Sequence, residues 1–561
     1  MTSLPQTHSR LRTQDGFSLI IVLSVMLVTS LLVAAAFTAT RGDLPLTQES
    51  THHSQAYYAA AAGVQEYDYQ LQNNPDYWES CEGPSGSLEG AHYEVRVLPA
   101  TGASECKASS PFTTAIQSKG PLANTFRIES TGCAAPGALS SCQGVLPSGA
   151  EKRATVATFQ VTGFLDFAYF TQYEDEDWSL YAPPNERLEY KDECEKYYAA
   201  RRGNRNCVEI EFAEEDSVHG PMHTDDAANV GCGKIEFGRN STERNGAEPD
   251  LVEIKGGLNE LCRSAPTINT YNGKLTTPAK QLEPPPTDGS LALYVEEANK
   301  LEGVTHVVLN GATNTIEVIN KGETTPAMEW PKNGLLYIAN EKGGSCAYEY
   351  KQVKADLANE ATQETGCGTV YVSGTYSKSL TIAAESDVVI DGSIVPYGVT
   401  PGSAPTGTET LGLIATEFVR IYHPVAETHA KNRGSCGSDP ENRSTGLCEY
   451  TNNEGSCDAP NATGTMHDPW VYAAILSTAH SFLVDNYTCG NTNETGKLNI
   501  YGAIAQKFRG IVAIGNGTTV EHGYTKDYNY DERLATDEPP YFLAPLKAGW
   551  KIIRETAPAS G

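Results

Sequence analysis

The sequence predicts an α+β protein with three parts. These are a long N-terminal transmembrane helix, a small α/β head, and a large β-rich C-terminal region built as a right-handed parallel β-solenoid, with a β-sandwich as the alternative. Three observations predict this. Residues 17–40 carry no charge and are mostly apolar. An alanine-rich stretch follows in which Tyr57, Ala60, Val64, Tyr67 and Leu71 recur at spacings of three and four, the period of one helix face. From residue 303 onward, short runs of Val, Ile and Tyr alternate with Gly, Asn, Asp and Ser.

The first element is the apolar run. A polar arm carrying Arg10 and Arg12 stops at Gly16, and the run starts at Phe17. At 1.5 Å per residue, residues 17–40 would reach about 36 Å, enough to cross a bilayer. The basic arm then stays cytoplasmic and the C-terminal bulk is exported, as a single-pass membrane protein displayed at the cell surface. A secretory signal is one alternative, because Ala34, Ala35, Ala36 and Ala39 offer small-residue cleavage sites. Its apolar core would be only about 7–15 residues, however. A plain anchor is the other alternative.

Gly16 followed by Phe17, placed before the apolar run, resembles the class III signal of type IV pilins and pseudopilins. Gln55-Ala56-Tyr57-Tyr58-Ala59-Ala60-Ala61-Ala62-Gly63-Val64-Gln65-Glu66 resembles the segment after the membrane helix in PilX-like minor pilins. The resemblance covers about residues 14–72. It implies processing between Gly16 and Phe17 by a prepilin peptidase, and assembly with other pilin-like subunits through the apolar helix. Membrane lipid is the remaining implied partner. The chain departs from the family at Ile21, where major pilins carry a Glu thought to pair with a neighbour's N-terminal amine, and at Ala61, where Glu is frequent. The missing carboxylate argues against a major, repeating subunit and is compatible with a minor one at a tip, as in the K-type pseudopilins.

Composition fits an exported, turn-rich β protein, with 51 Gly, 31 Pro and 29 Tyr against 5 Met. The formal charge of -29 argues against a nucleic-acid partner. The fourteen cysteines all follow the apolar run, and none forms a Cys-x-x-Cys pair. Disulfides in an oxidising compartment are therefore the expectation. Pairing between sequence neighbours is favoured because it closes short loops, with Cys194 and Cys207 the foremost candidate pair.

The remaining boundaries follow composition. Residues 1–16 read as a leader, 17–40 as the transmembrane helix and 41–75 as its amphipathic continuation. Residues 76–162 read as a pilin-like head with strands near 92–98, 126–130 and 155–162. Residues 163–302 form an irregular disulfide-bonded linker region containing Pro284-Pro285-Pro286. Residues 303–520 are the solenoid-like domain, and 521–561 a C-terminal tail. Between 369 and 394 the strands recur about every nine residues with apolar residues on alternate positions, as in Val370 and Val372 or Val388 and Ile390. Stacked rungs account for that pattern. Residues 503–509 read as a cap or interruption of the last rungs.

Signs of chemistry are sparse. Asp216, His219, His223, Asp225 and Asp226 offer imidazole and carboxylate ligands for a divalent ion. Gly220 and Pro221 between the histidines rule out a helix that would align them, so polar turn residues are the plainer reading. Glu174-Asp175-Glu176-Asp177 offers hard oxygens for calcium, or reads as a solvated acidic turn. Asp387 and Asp391 would suit glycosidic cleavage if paired, or read as turn formers. No nucleophile elbow, phosphate loop or His-Glu-x-x-His is present. The expectation is a protein without enzymatic activity, cofactor or metal: a minor pilin-like, membrane-anchored surface subunit active in pilus or pseudopilus assembly or adhesion. A membrane-tethered polysaccharide-binding or polysaccharide-degrading β-solenoid is the alternative.

Overall fold

In the computed structural model, the described residues are 17–557 apart from 89, 117–124, 214–215, 232, 245–248, 261–267, 271–274, 277–280, 344–345, 347, 349, 351–365, 425–460, 462, 516–519 and 547–548. The chain forms two compact units. One is Met1–Gln160 joined by Trp550–Gly561, and the other is Val161–Gly549. The larger unit is thus an insertion within the chain of the smaller one.

The smaller unit is built on one helix, α1 (Phe17–Asn73). Its C-terminal half packs on an antiparallel sheet of β1 (Ser85–Leu88), β2 (Ala91–Leu98), β3 (Thr125–Ala134) and β4 (Glu151–Val161). The Trp550–Thr556 strand completes the sheet beyond β4. The helix face turned inward carries Ala56, Ala59, Ala60, Val64, Tyr67 and Leu71. Small residues set the approach. A Cβ on Gly132 would lie 2.0 Å from the Ala56 carbonyl oxygen, and one on Gly63 would lie 2.2 Å from Ser130 Oγ. Tyr57, expected on the buried face, is 54% exposed, because Ala56 and Ala59 occupy the closest contact with the sheet.

Beneath the helix lies an aromatic core. Phe126 stacks on Phe159 with centroids 5.2 Å apart, Trp78 stacks on Phe126 at 5.7 Å, and Tyr67 leans on both phenylalanines. Trp550 donates from Nε1 to the Pro75 carbonyl at 2.8 Å. The residues expected as a C-terminal tail therefore supply a strand and a core side chain.

In the larger unit the strands pair mainly in parallel, with identical faces stacked. Val370 and Val372 lie beside Val388 and Ile390, those beside Val419 and Ile421, and those beside Phe482 and Val484. All eight are buried in one apolar core. A second ladder runs from Leu335–Ala339 through Leu380–Ala384, Leu411–Ala415 and Trp470–Ser477 to Lys497–Phe508. This second ladder is apolar on both faces. Ile382, Leu413, Ile475 and Ile504 point to the main core, and Tyr337, Ala383, Ile414 and Leu476 point to Leu282 and Leu291. Each such Leu or Ile side chain contributes about 1.5–3 kcal/mol by burial. Residues 503–508, expected to cap or interrupt, continue the Lys497–Phe508 strand.

Two expectations are corrected here. First, no helix among the described residues is long and apolar enough to cross a membrane, which overturns the transmembrane helix and the single-pass membrane localisation. Second, the described residues are mostly β and form no closed solenoid. Twenty-one of the described strands join one sheet, beside smaller sheets of five, three and two strands. An antiparallel meander, Thr305–Asn310 to Thr315–Asn320 to Glu323–Glu329, interrupts regular stacking. Long-range pairings, such as Lys497–Phe508 with Tyr169–Tyr173, extend the sheet beyond the succession of neighbouring strands. The parallel ladders equally depart from a β-sandwich, whose sheets are antiparallel.

Candidate functional site

The N-terminal part of α1 presents an unusual surface. Ile20, Ile21, Val22, Leu23, Val25, Met26, Leu27, Val28, Leu31, Leu32 and Val33 are each between 52% and 64% exposed. They occur at nearly every position, so the helix is apolar on all sides rather than along a stripe. A helix of that kind is stable when surrounded by other apolar groups. Further along, Tyr58 and Tyr69 stand on the side away from the sheet, 64% and 59% exposed. Of the expected processing residues, Gly16 lies outside the described residues, and Phe17 is the first residue of α1.

The structure brings Cys194 and Cys207 together as a disulfide, and also joins Cys81 to Cys106, Cys133 to Cys142 and Cys346 to Cys367. Cys489 is disulfide-bonded as well. Cys232, Cys262, Cys436, Cys448 and Cys457 lie outside the described residues.

Of the His/Asp cluster the structure keeps His223 and Asp225 in contact and sends the others to separate partners. His223 is buried with Nδ1 2.8 Å from Glu253 and Nε2 3.2 Å from Asp225, so both ring nitrogens are occupied. Asp226 accepts from Arg201 at 2.6 Å. Asp216 faces Lys526 at 2.7 Å, and His219 pairs in register with Asn529. Asp175, Cys194 and Cys207 bring three ligand-type atoms close together, but the two sulfurs are bonded to each other.

Glu174 to Asp177 are neither a calcium loop nor a solvated turn: all four are buried, at 0–3% exposure. Each reaches a different partner. Glu174 accepts from the Thr171 hydroxyl and pairs with Arg509 at 3.2 Å. Asp175 lies 3.4 Å from Arg201 Nε. Glu176 accepts from the Tyr487 hydroxyl at 2.8 Å. Asp177 holds His480 Nδ1 at 2.5 Å, while Glu417 takes Nε2 at 2.8 Å. Burial pushes the Glu176 carboxyl up to about 7 against the Tyr487 hydrogen bond. Burial alone would push the His480 imidazole down, but Asp177 and Glu417 outweigh it and bring it up to about 10.

Asp387 and Asp391 also part company. Asp387 and Asp485 grip the buried Arg420 at 2.8 and 2.7 Å, and the guanidinium lies 4.8 Å from the Tyr350 ring centroid. Asp391 interacts with Ser373 and His306 instead. Sequence reasoning missed Arg201, Arg420, Arg509 and His480. Their only visible signal was a positive charge within strand-like or turn-like runs.

No protein-family model matches the chain, and no curated protein matches it significantly. Among solved structures, the competence-associated pilin ComZ from Thermus thermophilus is similar at 11% identity and a TM-score of 0.26, over 90% of this chain and 98% of that one. A likeness that distant fixes neither fold nor role, and it does not reach the finer resemblance to PilX-like pilins.

Proposed function

We infer that the chain is a pilin-like subunit that joins an assembly through the N-terminal part of α1 and displays the inserted β-rich unit. The observation that carries this reading is the run of exposed apolar side chains from Ile20 to Val33, surrounding the helix and unmatched by any sheet of its own unit. The occupant that fits is a set of equivalent apolar helices from other subunits, packed by side-chain interdigitation. The Gly16–Phe17 junction would be the processing point for a prepilin peptidase, leaving Phe17 as the new N-terminus. Ile21 offers no carboxylate to a neighbour's amine, which favours a low-copy position such as a tip.

Two measurements in the native host test this. N-terminal sequencing of the mature chain is expected to start at Phe17; a start at Phe37 or Thr40 would assign the segment to ordinary secretion. Replacing Leu27 and Leu31 with Asp in the full chain is expected to abolish recovery in the sheared filament fraction, with the inserted unit still folded. Undiminished recovery would overturn the helix as the assembly element.

A further inference from the structure

Lys526 and Asp216 meet at a partly buried point of the larger unit, far apart in sequence, with Nζ 2.7 Å from Oδ2. They sit two positions before Tyr528 and Val218, which are register partners on parallel strands. The strand pairing therefore sets the two groups opposite each other, rather than chance contact of mobile side chains. Side-chain exposure is 17% for Lys526 and 12% for Asp216. Tyr169, Phe212, Tyr528 and Arg509 are among the residues that line, with them, a cavity of about 20 Å³, room for one water molecule. Arg509 lies over the Phe212 ring at 3.6 Å and pairs with Glu174.

We propose that Lys526 Nζ and Asp216 Cγ become joined by an intramolecular amide bond. The step balances without any co-reactant. The N–C bond forms as one C–O bond of Asp216 breaks, the ammonium gives up two protons, and both leave with the departing oxygen as water. The ion pair and the product are both neutral overall, so burial favours the amide by removing two charges from a low-dielectric interior. Burial pushes the Lys526 ammonium down, towards the neutral amine that attacks. Holding the reacting groups in contact substitutes for very high concentration, equivalent to about 10⁵–10⁸ M. The bond would close a loop from residue 216 to residue 526, tying early and late strands of the inserted unit.

Mass spectrometry of the purified full chain, reduced and alkylated, tests the proposal. The expected wild-type mass is one water below that of the unlinked chain. No protease cleavage is expected after Lys526, and a branched peptide should join the segments holding Asp216 and Lys526. Lys526→Arg should restore the missing water. Asp216→Ala should fold, by circular dichroism, and stay unlinked; a linked Asp216→Ala chain would overturn the assignment of Asp216 as the acceptor. Wild-type protein at full mass, cleaved normally after Lys526, would overturn the bond itself, and that measurement depends on no variant.

Discussion

Trp550 sets its ring edge-on against Phe126, with centroids 4.7 Å apart at 81°. The chain reaches Phe126 on β3, builds the whole of Val161–Gly549, and only then supplies the tryptophan that fills the first unit's core.

Trp550→Ala should therefore destabilise the smaller unit by about 3 kcal/mol, the lower end for losing a large aromatic from a core. Denaturant titration followed by probes placed in each unit would show it. The transition of the smaller unit should move while that of the inserted unit stays. A shift confined to the inserted unit would contradict the assignment of Trp550.

Gly132→Ala should cost about 1–3 kcal/mol by overpacking. The added methyl would stand 2.0 Å from the Ala56 carbonyl oxygen and 2.5 Å from the Ala60 amide, so α1 must lift from β3. Equilibrium unfolding measures the loss. An unchanged midpoint would mean that helix and sheet are not in this contact in solution.

Arg420→Met should cost about 3–5 kcal/mol, because it leaves Asp387 and Asp485 buried without their cation. The triple variant with Asp387→Asn and Asp485→Asn should recover much of the loss, since the uncompensated charges are gone. Thermal unfolding of the two variants compares them directly. Equal losses would argue against a charge effect.

Two groups give the inserted unit a stability that falls as pH rises. Glu176 is raised from 4.5 to about 7, so the folded state holds a proton the unfolded state has released. That contribution is complete below 4.5 and is lost as pH climbs through 7. His480 is raised from 6.5 to about 10, so its contribution is complete below 6.5 and is lost as pH rises through 10. Glu176→Gln should flatten the lower limb of Tm against pH, and His480→Gln the upper one. Curves parallel to wild type would refute both assignments.

Parts of this architecture were legible in residues alone. The alternation of Val370 and Val372, Val388 and Ile390 announced inward-facing strand positions, and they do stack in register. Ala60, Val64, Tyr67 and Leu71 announced a packed helix face. Period reports which side chains share a face but not how close the opposing backbone comes, so Tyr57 was misplaced where Gly132 demands alanines. Nor does a short strand such as Trp550–Thr556 carry any mark of its distant partner. The buried run Glu174–Asp177 was illegible for a related reason. Four adjacent carboxylates look solvated until Arg509, Arg201, Tyr487 and His480 arrive from elsewhere in the chain. The length of the uncharged segment suggested a bilayer crossing and the strand spacing a regular coil, and neither survives the structure.

The two ends of the inserted unit meet directly: the Thr162 amide donates to the Gly549 carbonyl at 2.6 Å. Entry and exit are thus a single hydrogen-bonded doorway. Whatever lies between can be lengthened, shortened or exchanged without changing the spacing that β4 and the Trp550–Thr556 strand require. In such a design the smaller unit can stay constant while the inserted one diversifies, and a lineage could change the second fold without rebuilding the first.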